Sequence, residues 1–292
     1  MQDAIPYRLN AAIVGASLAL HLALLFALPQ LLAHSLAWAW VFVLLAWANV
    51  THWALIHEAI HKMLFVDPRR NELGGRLLSV LFGASFHVLR FGHLMHHKLN
   101  RDWHNEDAYG ADWRGRLGYY YTLTFGLYVS EVLTSLTMAL LPRRAFMRLA
   151  CATVVKDSPD VAMAGERFFY ERGNIRFVRR DMACAALLYA AAFYQYAAYW
   201  PVLLGFLLLR GFVISFFDNL YHYGTPADNS KAAKELALPE PVSRLLLHGN
   251  FHETHHLNPD VPWCDLPDRH LRESRGFDGG LVGEGLQQFA GP

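Results

Sequence analysis

The chain has 292 residues, 54% hydrophobic and only 17% charged, against roughly 25% charged in an ordinary soluble domain. Its formal net charge is +1, which gives no basic field of the kind that draws nucleic acid, so nucleic acid is excluded as a partner. The cysteines, Cys151, Cys184 and Cys264, are far apart and form no CxxC pair; neither a disulfide framework nor a thiolate metal site follows, and they read as small apolar fillers.

The N-terminal residues lack a strongly basic stretch, and the apolar run behind them is longer than a signal-peptide core, so it reads as a retained membrane anchor. A helix needs about 20 apolar residues to cross the hydrocarbon core. Residues 11–33 and 37–56 reach that length with only His34-Ser35-Leu36 between them, which predicts a tight helical hairpin. Residues 182–199 and 201–217 predict a second hairpin, with Trp200-Pro201 at the turn and the aromatic-rich stretch 193–200 in an interfacial belt.

The segment 119–141 is long enough to cross but carries Glu131 and several tyrosines, threonines and serines. The loops on either side, 62–116 and 143–180, are rich in Lys and Arg, and the positive-inside rule puts both in the cytoplasm. A full crossing would separate them, so the segment reads as in-plane or re-entrant, as does 77–91. The expected fold is an all-α integral membrane protein, multi-pass, with four transmembrane helices in two hairpins and a cytoplasmic helical cap from 57–117, 142–181 and 218–275. No linker divides the chain, which reads as a single domain over 1–292 with a flexible, glycine-rich tail at 276–292.

Most of the 16 histidines fall where apolar runs end. HEAIH puts His57 and His61 at i and i+4, on one face of a helix continuing out of the second span. HLMHH puts His93, His96 and His97 at i, i+3 and i+4, and HETHH repeats that spacing with His252, His255 and His256. Neutral imidazole suits iron, zinc and copper. Eight such rings exceed what one tetrahedral zinc uses, so two metals are the natural count. Just past the fourth span, Asp218 and His222 share a helical face, making His222 a ninth ligand candidate; Asp218 or Asn219 can orient it or hold a metal-bound water. Glu58, Glu253, His248 and Asn250 flank the boxes as supporting candidates. His87 and His104 flank the second box more weakly, and His21, His34, His52 and His270 read as structural.

The three boxes, HxxxH, HxxHH and HxxHH, resemble the signature of the membrane fatty acid desaturase and hydroxylase superfamily. The stretch after the third box, carrying Leu257, Pro259, Pro262, Leu266 and Pro267, is similar to that family's third-box region, and the similarity spans about residues 40–270. The resemblance implies a di-iron centre, O2 as co-substrate and a membrane lipid or acyl chain as substrate. It also implies an extra ligand or a water-holding asparagine after the fourth span, where Asp218 to His222 stand with an aspartate in place of the usual asparagine. With no fused haem domain of His-Pro-Gly-Gly signature, electrons are expected from a separate ferredoxin or cytochrome donor. Desaturation of an acyl chain is the expected reaction; hydroxylation, carotenoid ketolation and oxidative decarboxylation share the same boxes.

Two readings from other classes compete. HEAIH and HETHH also fit HExxH, the zinc-protease motif in which a glutamate is general base, but an intramembrane protease leaves His93, His96 and His97 without a task. A histidine-rich metal carrier would place its ligands along a path within the spans, whereas these clusters lie beyond the span ends.

Overall fold

The computed structural model describes residues 5–99, 112–153, 155–156, 158–226, 229 and 231–291. The described chain is almost entirely helical. The N-terminal half contains α1 (Tyr7–Phe26), α2 (Leu28–Leu32), α3 (Val41–Leu44), α4 (Ala46–Ile60), α5 (Pro68–Phe82) and α6 (Phe86–Leu99). There follow α7 (Trp113–Tyr121), a π-helical turn at Thr122–Gly126, α8 (Leu127–Leu140), α9 (Arg143–Ala152), α10 (Pro159–Glu166), α11 (Ile175–Tyr196) and α12 (Trp200–Leu220). The C-terminal part has β1 (Leu236–Ala237), α13 (Glu240–Leu245), α14 (His252–Leu257), α15 (Leu266–Arg272), β2 (Gly279–Gly280) and α16 (Leu281–Gln287).

Three helical runs, Tyr7–Phe26, Trp113–Leu140 and Ile175–Leu220, are long and apolar enough to cross a membrane, or up to five if each of two bent pairs counts as one span. Large apolar side chains such as Trp40, Leu44, Leu187, Tyr194, Trp200 and Leu208 are exposed along these runs. A water-soluble surface does not tolerate so much contiguous apolar area, whereas a helix in lipid must present it; the protein is an integral membrane protein. The run Ile175–Leu220 is itself folded back. Arg210 Nη1 donates to the Tyr189 hydroxyl at 2.7 Å across 21 residues, a separation of about 30 Å along a straight helix. The reversal lies at Ala197, whose φ of 45° breaks the helix.

The bend between α5 and α6 sets the direction of the second histidine box. Asp67 caps α5 by accepting from Arg70 N at 2.8 Å, and Pro68 starts the helix where its missing N–H costs nothing. Gly83, at φ 93°, ends it in the left-handed conformation that a side chain resists, and α6 leaves at 100°. A bend at membrane depth is tolerated only where protein satisfies the freed backbone groups. Four elements supply the partners here: His52 of α4 bonds Leu78 O at 2.8 Å, Tyr128 of α8 donates to Phe82 O at 2.7 Å, Tyr189 of α11 donates to Leu81 O at 2.6 Å, and Arg210 of α12 donates to both Leu81 O and Phe82 O. At the start of α6, Ser85 N donates to Ser135 Oγ at 3.0 Å. Asp181 ties the bend from the other side, pairing with Arg76 at 2.7 Å and accepting from Ser85 Oγ at 3.2 Å. The segment 77–91, read above as re-entrant or in-plane, contains this bend, which fits a broken span as well as a re-entrant loop.

The C-terminal tail, expected above to be flexible, carries secondary structure and long-range contacts. Residues 276–291 carry β2 and α16, and β2 pairs in parallel with β1, Leu236 opposite Gly279 and Ala237 opposite Gly280. Tyr119, Tyr120 and Tyr223 donate to the carbonyls of Gln288, Phe289 and Gly291 at 2.7, 2.9 and 2.9 Å, and Lys234 pairs with Glu284 at 2.5 Å. The glycines signal a chain that can bend; the long-range phenol and ion-pair partners are not visible in them.

Candidate metal centre

Box one lies at the C-terminal end of α4 and the turn beyond it. Asn71 accepts from Leu64 N and Phe65 N and donates to Ala59 O at 2.8 Å, while Asn10 of α1 donates to Leu64 O at 2.9 Å. These bonds fix the chain where the helix ends at His61. Box two lies in the last half of α6. Box three is α14 itself, and the run behind it docks on the first: Trp263 Nε1 donates to Asn10 Oδ1 at 2.9 Å, and Trp263 N to Glu58 Oε2 at 3.4 Å. The Pro-x-x-Pro-Trp pattern thus closes α14 against the end of α4.

The nine expected histidines meet in two groups, each with ligand atoms mutually within 4.8 Å: His57, His61, His93, His97 and His255 in one, and His96, His222, His252 and His256 in the other. In the first, Nε2 atoms approach at 2.9 Å (His61 to His93), 2.9 Å (His93 to His97) and 3.1 Å (His97 to His255). In the second the separations are 3.0 Å (His96 to His222) and 3.1 Å (His222 to His252). The groups adjoin, since His96 and His97, like His255 and His256, are sequence neighbours divided between them, and His97 stacks on His256 at 4.3 Å.

These donors fit metal ions. Metal–nitrogen bonds of about 2.1 Å at right angles give donor–donor edges of about 3.0 Å, against about 3.4 Å in a tetrahedron. The separations of 2.9–3.1 Å between neighbouring Nε2 atoms are of the size that imidazoles sharing one ion require. His57 Nε2 and His256 Nε2 are buried without a hydrogen-bond partner among the described residues, a costly state that a metal ion relieves. Burial first, then repulsion from neighbouring imidazoles, holds His61, His252, His255 and His256 well below the ordinary histidine range. The rings are therefore neutral at pH 7, the form that binds metal.

The supporting candidates separate. His222 Nδ1 faces Ala232 O at 3.3 Å, which turns Nε2 to the group. Glu58 is buried with Oε1 3.9 Å from His57 Nδ1. Asp218 is in neither histidine group but lines the adjoining cavity. Asn219 is tied to the C-terminal segment: its Nδ2 donates to Gln288 Oε1 at 2.7 Å. Glu253 turns outward to Arg275 at 2.6 Å. His248 bonds Ser243 Oγ at 2.7 Å, and Asn250 accepts from the same hydroxyl and donates to Leu236 O at 2.9 Å; both shape the turn before α14. Among the other histidines, His52 is bonded to Ser17 and Leu78 O, and His21 to Ser17 O. His87 stacks on Phe177 at 5.0 Å, and His104 lies outside the described residues.

Two acids escaped the sequence reading as parts of the site. Glu235, 1% exposed, accepts from Thr254 N at 2.6 Å and Thr254 Oγ1 at 2.5 Å, anchoring the first turn of α14. Glu131, read only as a mark of polarity, faces a cavity of about 510 Å³ whose walls include His93 and His96, one from each group, with Trp53, Phe82, Leu89 and Phe91. A glutamate in an otherwise apolar helix was the signal that could have found it.

The chain matches the family model described as fatty acid desaturase over residues 33–282. No curated protein matches it.

Proposed function

The chain belongs to the fatty acid desaturase family, and from that premise we propose that it is an O2-dependent di-iron oxidoreductase that introduces a double bond into an acyl chain. The observation that carries this reading is the pair of adjoining all-histidine groups with an apolar cavity against them, lined by His93 and His96. Its volume falls in the range of about 300–1,000 Å³ that holds ligands of acyl-chain size. His57, His61, His93, His97 and His255 would hold one iron, and His96, His222, His252 and His256 the other. The irons would supply the oxidising power that an unactivated C–H bond demands and no side chain provides. Trp53, Phe82, Leu89 and Phe91 hold the chain beside the boxes and exclude water. Electrons come from a separate ferredoxin or cytochrome donor.

The spans form two hairpins, α1 to α4 and α11 to α12, whose box-bearing ends face the cytoplasm; α7 to α8 lies in-plane or re-entrant. The balance of Lys and Arg in 62–116 and 143–180 supports this topology. The zinc-protease reading is disfavoured because Glu58 is engaged by the Trp263 N–H and His57 and His61 share their group with three further imidazoles.

The test is expression of the full chain in a host of defined lipid composition, with mass spectrometry of the lipids and metal analysis of the purified protein. Two irons per chain and a new double bond are expected. One zinc with no oxidised lipid overturns the reading.

A further inference from the structure

A helix at a water-facing surface turns its apolar side chains inward and its polar ones outward. α16 and the turn behind it, 288–290, do the reverse. Val282, Leu286 and Phe289, at i, i+4 and i+7, are 73%, 65% and 42% exposed, and Gln287 is the one polar side chain exposed beside them. The other polar groups point inward: Gln288 is fully buried with its Oε1 accepting from Asn219 Nδ2 at 2.7 Å, and Glu284 pairs with Lys234 at 2.5 Å. Its neighbour α15 shows the ordinary arrangement, with Leu266 and His270 buried and Asp268 and Arg272 exposed.

α16 also sits against the membrane-spanning part of the molecule. A Cβ on Gly285 would come within 3.0 Å of Phe216 Cζ, and the Phe289 ring lies 6.0 Å from that of Phe216. The helix therefore rests on the last turns of α12, in a run apolar enough to cross a membrane. α7 holds it as well, through Tyr119 and Tyr120, and α7 itself exposes Trp113, Leu117 and Tyr121 at i, i+4 and i+8. We propose that α16 is a membrane anchor whose Val282, Leu286 and Phe289 face is seated among the acyl chains of the leaflet beside the end of α12. Lipid is the occupant because the face is continuous with helices that lipid already covers, and because apolar-out, polar-in is the polarity of a helix in hydrocarbon. The anchor reaches the second histidine group. Asn219, three residues before His222, bonds Gln288, and Tyr223, the residue after it, donates to Gly291 O at 2.9 Å. The bilayer thus fastens the segment that presents His222, whatever reaction the histidine groups support.

The test uses the full wild-type chain, one per lipid nanodisc, with a phosphatidylcholine that carries a diazirine partway along its acyl chain; adducts are mapped by mass spectrometry after photolysis. Adducts on Val282, Leu286 and Phe289 are expected within about threefold of those on Leu204 and Leu208, exposed on α12, and about tenfold or more above those on residues 266–273 of α15. Leu286→Glu should lower the yield on residues 281–290 about fivefold, while unchanged adducts on Leu204 and Leu208 show that the variant is inserted. Adducts on α12 without adducts on α16, equal yields on α15 and α16, or a yield on 281–290 that Leu286→Glu does not lower, overturn the proposal. Loss of the α16 adducts when each disc holds two chains overturns it too, because a second copy would then be the occupant of this face.

Discussion

His222 is the residue on which the second histidine group turns. It lies outside the three boxes, and its Nε2 atom stands 3.0 Å from that of His96 and 3.1 Å from that of His252, so it joins a ligand from box two to one from box three. His222→Ala should lower bound metal from about two ions per chain to about one and abolish oxidation, read by metal analysis of the purified variant. His87→Ala, which changes a ring stacked on Phe177, should keep both. Glu235 makes a different prediction, because burial pushes its carboxyl up to about 7 from an ordinary 4.5. Between those values the folded chain holds a proton that the unfolded chain has released. Stability from this group is therefore full below about pH 4.5 and is lost as pH rises to about 7. The buried histidines, held neutral, act in the opposite sense up to about 6.5, so the Glu235 contribution is read as a difference: from pH 5 to 7.5 the thermal midpoint of Glu235→Gln should rise relative to that of the wild type. A difference that does not change with pH would remove Glu235 as its cause.

At the scale of elements, the sequence made the histidine boxes legible because a metal site imposes spacing on one helix face, and i, i+3 and i+4 survive in the letters. His222 was legible for the same reason, being placed just beyond an apolar run. Glu235 was not: nothing local to Lys234-Glu235-Leu236 says that its carboxylate meets Thr254, since that contact depends on the turn through His248 and Asn250. The tail's contacts were hidden on the same ground, its glycines being local and its partners, Tyr119, Tyr120 and Lys234, distant. Those contacts tie α16 to the segment between α12 and β1 that presents His222, with Asn219 bonded to Gln288 and Lys234 to Glu284. Truncation before Gly276 should therefore weaken the second histidine group before the first. The expected result is a chain that still inserts in the membrane but retains about one metal ion, measured on membrane-extracted protein. Full metal content after truncation would show that the tail is a passenger.

At the scale of the whole molecule, periodicity and apolar length gave an all-helical chain with long apolar helices but not which way each helix turns at its end. The back-folded run Ile175–Leu220 was readable as a hairpin from Trp200-Pro201, whereas the bend after Phe82 is held by side chains from four other helices and shows in the sequence only as Gly83. The proposed topology makes a claim about sidedness that the native cysteines can test. Cys151 is exposed on α9, in the basic loop assigned to the cytoplasm, while Cys184 is exposed on α11, within an apolar span, where it faces lipid. Cys264 is half-buried, and burial, with Asp265 second, pushes its thiol up to about 12, leaving almost no thiolate to react at neutral pH. A membrane-impermeant maleimide should therefore label one site, Cys151, in inside-out vesicles and none in right-side-out vesicles, with Cys151→Ser removing the signal. Labelling of Cys151 from the outer face would invert the topology and carry the histidine groups with it, because Phe146, Met147 and Ala150 of α9 line the same cavity as His93 and His96.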